Sequence, residues 1–336
     1  MDISDSLAYF SLDAQWLKII RYGVCDDVEG FSRDKNTANV YLIKGDFLFF
    51  ENAKTVISLD FTKSFSSPLL DHGARFLNSA SDLKELKNLP VLEFIDHSLL
   101  SSTWDSNFYH FIFDVLGKVA VHDYFGYDFK SIKYLFNIQF EFQRQFIELL
   151  ELDTVSFDAS SLIRMRSSYL PSYFCTHGAQ PPLNLINFLR RELLCKTVFP
   201  CQIISSKIFL SRRDARNGRA LLNEDQVFEK VFKPRGYVKV FPEDFSIRQQ
   251  ISLMSQARSI AGAHGAAFSL MIFMPDGASI FEIHSPYYFN PCFKHLAKNC
   301  GFIYASVNDA VNYFKSENWR DNFVIESTCF DNFGKI

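Results

Sequence analysis

Two stretches in the second half of the chain have the residue types that hold a phosphate. The first is Ser211-Arg212-Arg213-Asp214-Ala215-Arg216-Asn217-Gly218-Arg219, with four arginines in eight residues. Guanidinium groups clamp phosphate oxygens through paired, charge-assisted hydrogen bonds. The second runs from Ser259 through Gly262, Ala263, His264, Gly265, Ala266 and Ala267 to Pro275-Asp276-Gly277. Its spacing predicts a short strand, a tight loop at His264-Gly265, and a helix stopped by Pro275-Asp276-Gly277. A second buried strand at Ile280–Ile283 would follow. A helix N-terminus there offers free backbone N–H groups and partial positive charge, and the small residues let an anion come close. Glu282, near the end of the second strand, would lie beside the same crevice, where a carboxylate suits the hydroxyl pair of a sugar or ribose.

A third stretch, Asn107-Phe-Tyr109-His110-Phe-Ile-Phe-Asp114, sets a histidine and an aspartate four residues apart. That spacing puts both on one helix face. Asp114 can orient or charge-balance His110, or either can take a proton from a hydroxyl. Each pattern also has a plainer reading: a solvated basic loop, a loop histidine bonded to backbone, an edge carboxylate, and an ion pair beside a Phe-rich core. For the arginine loop, position decides. It and Gly265 would both follow parallel strands of one sheet and open on one crevice. For His264, Glu282 and the His110–Asp114 pair, both readings stay open. The chain has no Walker lysine motif, G-x-G-x-x-G, G-x-S-x-G, H-E-x-x-H or D-x-D. Phosphate stabilisation by arginine and a helix dipole, without a metal ion, is consistent with that pattern.

The elements that must position these residues are also readable. From Lys207 the sequence alternates strand and helix. Strands are expected at Lys207–Ser211, Tyr237–Phe241, Ser259–Ala261, Ile280–Ile283 and Phe302–Ala305. The helices between them begin near Glu224 (Asn223 as cap, Gln226 in capping-box position), Ser246, His264 and Asn290. Five strands with short helical connections predict a doubly wound parallel sheet. Upstream, an amphipathic helix is expected from about Asn107 to Tyr124, a strand at Ile132–Ile138, and helices at Glu141–Leu150 and Leu183–Cys195. The first hundred residues look richer in strands. A hairpin is expected around Lys44-Gly45-Asp46, a strand at Val91–Ile95, and helical turns at Asp13–Ile20 and near Leu83–Leu86. Pro200 and its polar surroundings mark a boundary. An N-terminal α/β domain would cover 1–200, a doubly wound parallel-sheet domain 201–305, and a tail, 306–336, would pack back on the first domain.

Composition sets the outer limits. With 336 residues, 48% of them apolar and 22% charged, the chain is globular and long enough for two domains. A net charge of −3 gives no case for nucleic acid or an anionic membrane. Seven scattered cysteines, odd in number and without C-x-x-C, fit neither a disulfide framework nor a zinc site. The N-terminus lacks the pattern of a signal peptide, and no run approaches a membrane span, so a cytoplasmic protein is expected.

Taken together, Lys207-Ile-Phe-Leu-Ser-Arg212-Arg213, Arg219, Asn223-Glu224, Gln250-Ile251, Gly262-Ala-His264-Gly265-Ala266, Phe273-Met-Pro275 and Glu282-Ile resemble glycosyltransferase family 61. Bacterial members of that family are often labelled capsular polysaccharide biosynthesis proteins. The stretch Asn107–Asp114 is similar to the family's upstream motif, in which an aromatic–His pair precedes an Asp. The resemblance covers about 105 to 285. Phe111 stands where Trp is frequent, and Ala267-Phe268 replaces a more usual Gly-Leu. The resemblance implies a GT-B-like α/β architecture: two Rossmann-like domains facing a central cleft, with the sugar nucleotide chiefly against the second. It also implies an inverting, metal-independent transfer with no cofactor. Arg212 and Arg219 would hold the diphosphate of the donor, UDP-linked by expectation, and the backbone at His264, Gly265 and Ala266 would meet the same group. Glu282 would face the ribose or sugar, and His110 or Asp114 would be the base. The acceptor would be an oligosaccharide or a lipid-linked glycan, in capsule or O-antigen synthesis, bringing the protein to the membrane edge through the acceptor. A non-catalytic nucleotide-sugar sensor or a scaffold is the alternative.

Overall fold

A computed structural model of the chain describes residues 17–24, 39–53, 55–57, 59, 64–65, 85–102, 104–173, 181–196, 205–212, 218–307 and 320–330. The fold is mixed α/β, and the chain divides into two compact units, Met1–Phe188 and Leu189–Ile336.

The first unit is built on a nine-stranded mixed sheet. Its strands are β1 (Leu17–Val24), β2 (Asn39–Phe50), β3 (Thr55–Ile57), β4 (Ser64–Phe65), β5 (Val91–Ile95), β6 (His97–Leu99), β7 (Lys133–Leu135), β8 (Asp153–Val155) and β9 (Leu162–Pro171). Their order is β4-β3-β2-β9-β6-β7-β8, with β1 added to β2 and β5 to β9. The β1–β4 side and the β2–β9 seam are antiparallel. The pairings of β5 and β6 with β9, and of β7 with β6 and β8, are parallel. Phe47, Phe49, Leu99, Leu135, Ile163 and Met165 make one buried cluster on this sheet.

Two expectations for the N-terminal region fail, for the same reason. Lys44-Gly45-Asp46 makes no hairpin: β2 runs through it as a single twelve-residue strand. The Gly-Asp pair is a bulge, where register against β9 shifts between Gly45 and Phe47, and Asp46 accepts a 2.6 Å hydrogen bond from the Ser167 N–H. Leu17–Ile20, read as the end of a helix, lies in β1 against β2. Pairing with a long neighbouring strand overrides a weak local preference. The beginning of that expected helix, at 13–16, and Leu83 lie outside the described residues.

Asn107 starts the helical run that matters most in this unit. Its side-chain oxygen accepts from the N–H groups of Tyr109 (2.9 Å) and His110 (3.4 Å), as an N-cap should. Phe108–His110 and Leu116–Tyr124 are α-helical, and Phe111–Val115 between them is a π-turn. Of the predicted apolar face, Phe108, Ile112, Val115, Leu116 and Val119, the last four are each at most 1% exposed and Phe108 is half-buried. The helices Glu141–Leu150 and Leu183–Leu194 lie where their periodicity predicts them.

The second unit carries a five-stranded parallel sheet: β10 (Lys207–Leu210), β11 (Val238–Val240), β12 (Ser259–Ala263), β13 (Ser279–Ile283) and β14 (Ile303–Val307). The order is β11-β10-β12-β13-β14, every pairing parallel. The direction of winding therefore reverses between β10 and β12. Loops leaving the carboxyl ends of those two strands flank the place where open α/β sheets bind ligands. The helix Ile247–Gln256 opens with the capping box expected at Ser246 and Gln249. Asn223 behaves differently. It makes no cap, and its amide instead bonds both backbone groups of Ile325, at 2.8 and 3.2 Å. The described part of the C-terminal segment, which was expected to pack on the first domain, instead lies in this unit's core. Phe323 bridges to Leu221, and Phe323, Ile325 and Phe330 join Phe209, Phe232 and Phe281 in one buried cluster. Residues 308–319 of that segment, and 197–204 around the expected boundary, lie outside the described residues. Among the described residues, no helix is long and apolar enough to cross a membrane.

Candidate functional site

In the second unit, β10 ends at Leu210 and β12 at Ala263, so Arg212 and His264 leave neighbouring strands at the same edge. The arginine reaches across: its guanidinium donates to the His264 carbonyl. Its approach depends on Gly265, because a Cβ there would stand 2.7 Å from Arg212 Cδ and 2.9 Å from Nε. Behind the loop, Glu224 holds the turn, accepting from the Ser211 hydroxyl (2.5 Å) and the Arg212 N–H (3.1 Å). Burial, and then the charge of Arg219, bring the Arg212 guanidinium down to about 10, so it keeps its charge at neutral pH. Arg213, Asp214 and Arg216 lie outside the described residues.

Arg219 is held in an uncommon conformation. Its φ of 62° is left-handed, as is the 73° of Gly218 before it. A side chain at 218 would collide with the Arg320 carbonyl at 1.9 Å, and the Arg219 N–H donates to that same carbonyl at 3.0 Å. The Arg219 guanidinium lies 4.2 Å from the centre of the Tyr288 ring, a cation–π contact. Two consecutive left-handed residues, over-determined by packing, are the kind of local strain that collects at binding sites.

After β12 the chain makes a 3₁₀ helix, Ala266–Phe273, rather than an α-helix, with Gly265 at its cap position and no side-chain cap. The first N–H groups of a helix have no partner within it, so Ala266 and its neighbours offer donors to a ligand. His264 sits just before, 8% exposed, with its N–H on the Ile283 carbonyl (2.9 Å) and its Nδ1 hydrogen-bonded to a Glu282 carboxylate oxygen. Glu282 is fully buried, and its other oxygen accepts from the Tyr304 hydroxyl at 2.6 Å. Both carboxylate oxygens are thus engaged inside the protein, one by His264 and the other by Tyr304. His284, fully buried, adds its Nε2 at 3.5 Å from the same carboxylate and 3.2 Å from the Tyr304 oxygen. Burial, then Arg219 and Arg212, hold the His264 imidazole well below its ordinary value, so it is neutral at pH 7.

His264, Glu282 and His284 present ligand atoms within 4.8 Å of one another, the one such cluster among the described residues. Two imidazoles and a carboxylate suit a zinc-type ion by residue type. Here the same atoms are bonded to one another and to Tyr304, beside two guanidinium groups. Sequence reading missed Tyr304 and His284. Neither belongs to a motif, and only the register of β13 against β14, with Ile280 opposite Tyr304, brings that hydroxyl to Glu282.

In the first unit, His110 Nδ1 and Asp114 Oδ2 are 2.8 Å apart, as the four-residue spacing predicts. The Asp114 side chain is 7% exposed and that of His110 25%, so the aspartate backs the histidine and the histidine meets solvent. The Trp104 ring lies 4.9 Å from the imidazole, tilted by 44°.

The search of curated proteins found no match to the chain. A family model does match: that of glycosyltransferase 61, over residues 108–281, which takes in the His110–Asp114 pair, Arg212, Arg219, the His264 loop and β13 as far as Phe281. Since that match spans more than half of the 336 residues, the chain belongs to glycosyltransferase family 61 and is a glycosyltransferase.

Proposed function

We propose that this enzyme moves a sugar from a nucleotide-sugar donor, UDP-linked, to a glycan acceptor by one inverting displacement that needs no metal ion. The supporting observation is the convergence of Arg212, Arg219 and the Gly265–Ala266 helix start at the carboxyl ends of β10 and β12. That place suits a diphosphate, and its positive charge does the work a divalent ion would otherwise do. His264, fixed by Glu282, shapes the loop. In the reaction, the Nδ1–H of His110 donates to Asp114, which leaves Nε2 to accept the proton of the acceptor hydroxyl. The acceptor oxygen bonds to the anomeric carbon as the bond from that carbon to the diphosphate oxygen breaks. The electron pair leaves on the diphosphate, against the two arginines. The GT-B pairing of two Rossmann-like domains and a cytoplasmic role in capsule or O-antigen-type synthesis, on an oligosaccharide or lipid-linked acceptor at the membrane edge, complete the reading.

The test is a thermal-shift series with UDP, GDP, CMP and their sugar conjugates, with and without EDTA. A ligand at ~100 times its dissociation constant stabilises by about 2.7 kcal/mol. The expected result is stabilisation by UDP or a UDP-sugar that EDTA does not alter and that Arg212→Ala removes. Stabilisation abolished by EDTA would instead assign the His264–Glu282–His284 cluster to a metal ion. Stabilisation without transfer or donor hydrolysis would favour a nucleotide-sugar sensor or scaffold.

A further inference from the structure

The loop between β6 and the helix that carries His110 is polar in sequence yet buried at Ser101, Ser102 and Asp105; Thr103 lies outside the described residues. Ser101, Ser102 and Asp105 are 3%, 1% and 7% exposed. Four separate elements hold it. The ammonium of Lys118, itself buried, donates to the Ser101 carbonyl and lies 4.6 Å from the Tyr173 ring centre. The Ser101 hydroxyl donates to Glu51 at 2.8 Å, the Tyr173 hydroxyl to Ser102 Oγ at 3.3 Å, and the Gln143 amide to the Asp105 carbonyl at 2.9 Å. At the loop's end the Asn107 N–H donates to the Trp104 carbonyl at 2.8 Å, and the same Asn107 caps the His110 helix. Burying an ammonium and a carboxylate is costly unless each is paired, so this much polar bonding implies a loop whose shape matters. The loop presents Trp104, 36% exposed, with its ring set against that of His110.

An indole is a broad, rigid apolar surface with few rotamers to freeze. A pyranose has a matching face made of C–H bonds and carries its hydroxyls at the rim. Resting on the indole, it loses little hydration and keeps its hydroxyls free for chemistry. We propose that Trp104 is the platform for the acceptor: a pyranose ring packs its C–H face on the indole and turns one rim hydroxyl to His110. Lys118, Glu51, Tyr173 and Gln143 are positioning residues that hold the platform at its height. The assignment rests on His110 and Asp114 being the proton-accepting pair of the transferase reaction.

Saturation-transfer NMR tests it, with the methyl β-pyranosides of glucose, galactose, mannose and N-acetylglucosamine as probes. UDP-induced thermal shifts are recorded on the same samples. The expected result is transfer from wild-type protein to the C–H protons of at least one pyranoside. Trp104→Ala loses it at least tenfold, Trp104→Phe retains part of it, and the UDP shift stays intact in both variants. Equal transfer to wild type and Trp104→Ala would overturn the platform. So would the absence of transfer to all four sugars from wild-type protein that UDP still stabilises. If UDP stabilises nothing while transfer still depends on Trp104, the donor reading falls and the platform stands.

Discussion

Among the described residues the same chemical pair occurs twice, a histidine with its Nδ1 on a carboxylate. His110–Asp114 is local, one turn of one helix, and its histidine is a quarter exposed. His264–Glu282 joins the end of β12 to β13, and its carboxylate is fully buried and shared with Tyr304. The first pair opens its histidine to solvent. The second has every carboxylate oxygen engaged by the protein, and burial, then Arg219 and Arg212, push its imidazole toward the neutral form. On the proposed mechanism, a hydrogen bond of the same kind serves proton transfer in one setting and fixed geometry in the other. The surroundings decide which.

The sharpest test of that contrast is Asp114→Asn. The isosteric amide leaves His110 without a carboxylate partner, and turnover is expected to fall ~10²–10⁴-fold while donor affinity stays unchanged. If Glu282→Gln produced the same split, both pairs would be proton carriers and the contrast would collapse. Next is Glu282→Ala, which removes one partner of a fully buried pair. It leaves the His264 imidazole and the Tyr304 hydroxyl without their acceptor and is expected to cost about 1–3 kcal/mol of stability, seen as a lower denaturant midpoint.

A third histidine serves as the control. His122 has no carboxylate. It is fully buried, with Nε2 2.8 Å from the Ser98 hydroxyl, Nδ1 without a hydrogen-bond partner among the described residues, and Tyr127, Tyr134 and Tyr169 around it. Burial drags it from 6.5 to about 4. The unfolded chain takes up a proton below pH 6.5 and the folded one only near 4, so stability present above pH 6.5 is lost as pH falls through that window. The loss is about 3 kcal/mol, and His122→Gln should remove that part of the acid slope in urea melts at successive pH values. The smallest effect is at Gly265, whose φ of −172° is open to any residue. Gly265→Ala is expected to leave stability alone while displacing Arg212 and weakening UDP roughly tenfold, about 1.4 kcal/mol, by calorimetric titration.

The second unit could be read from the sequence because its signals are local. Strands of three to five residues alternate with short helices, and the loops that matter announce themselves by arginine and glycine. The winding reversal that makes β10 and β12 neighbours follows from the same alternation. The first unit was harder, because a bulge and a turn share the same residues. Lys44-Gly45-Asp46 reads as a hairpin until β9, more than a hundred residues away, is laid beside it. His110 and Asp114 were visible because four residues separate them. Lys118, Glu51 and Trp104 were not, since nothing near them in sequence shows that they meet over one loop. Tyr304 escaped notice because a lone tyrosine in a short strand gives no sign of the carboxylate two positions along the neighbouring strand.

The strap formed by the C-terminal segment also has a consequence for biosynthesis. Asn223 grips Ile325 across 102 positions, and Arg219 takes its left-handed turn against the Arg320 carbonyl. At ~5–20 residues per second, the ribosome needs roughly 5–20 s to make that intervening stretch. Throughout that interval, β10 has been made and the Arg219 end of its loop has no Arg320 carbonyl to rest on. The nascent enzyme therefore carries Arg219 and Asn223 without the backbone partners they hold in the folded protein, which arrive only when residues 320–325 emerge.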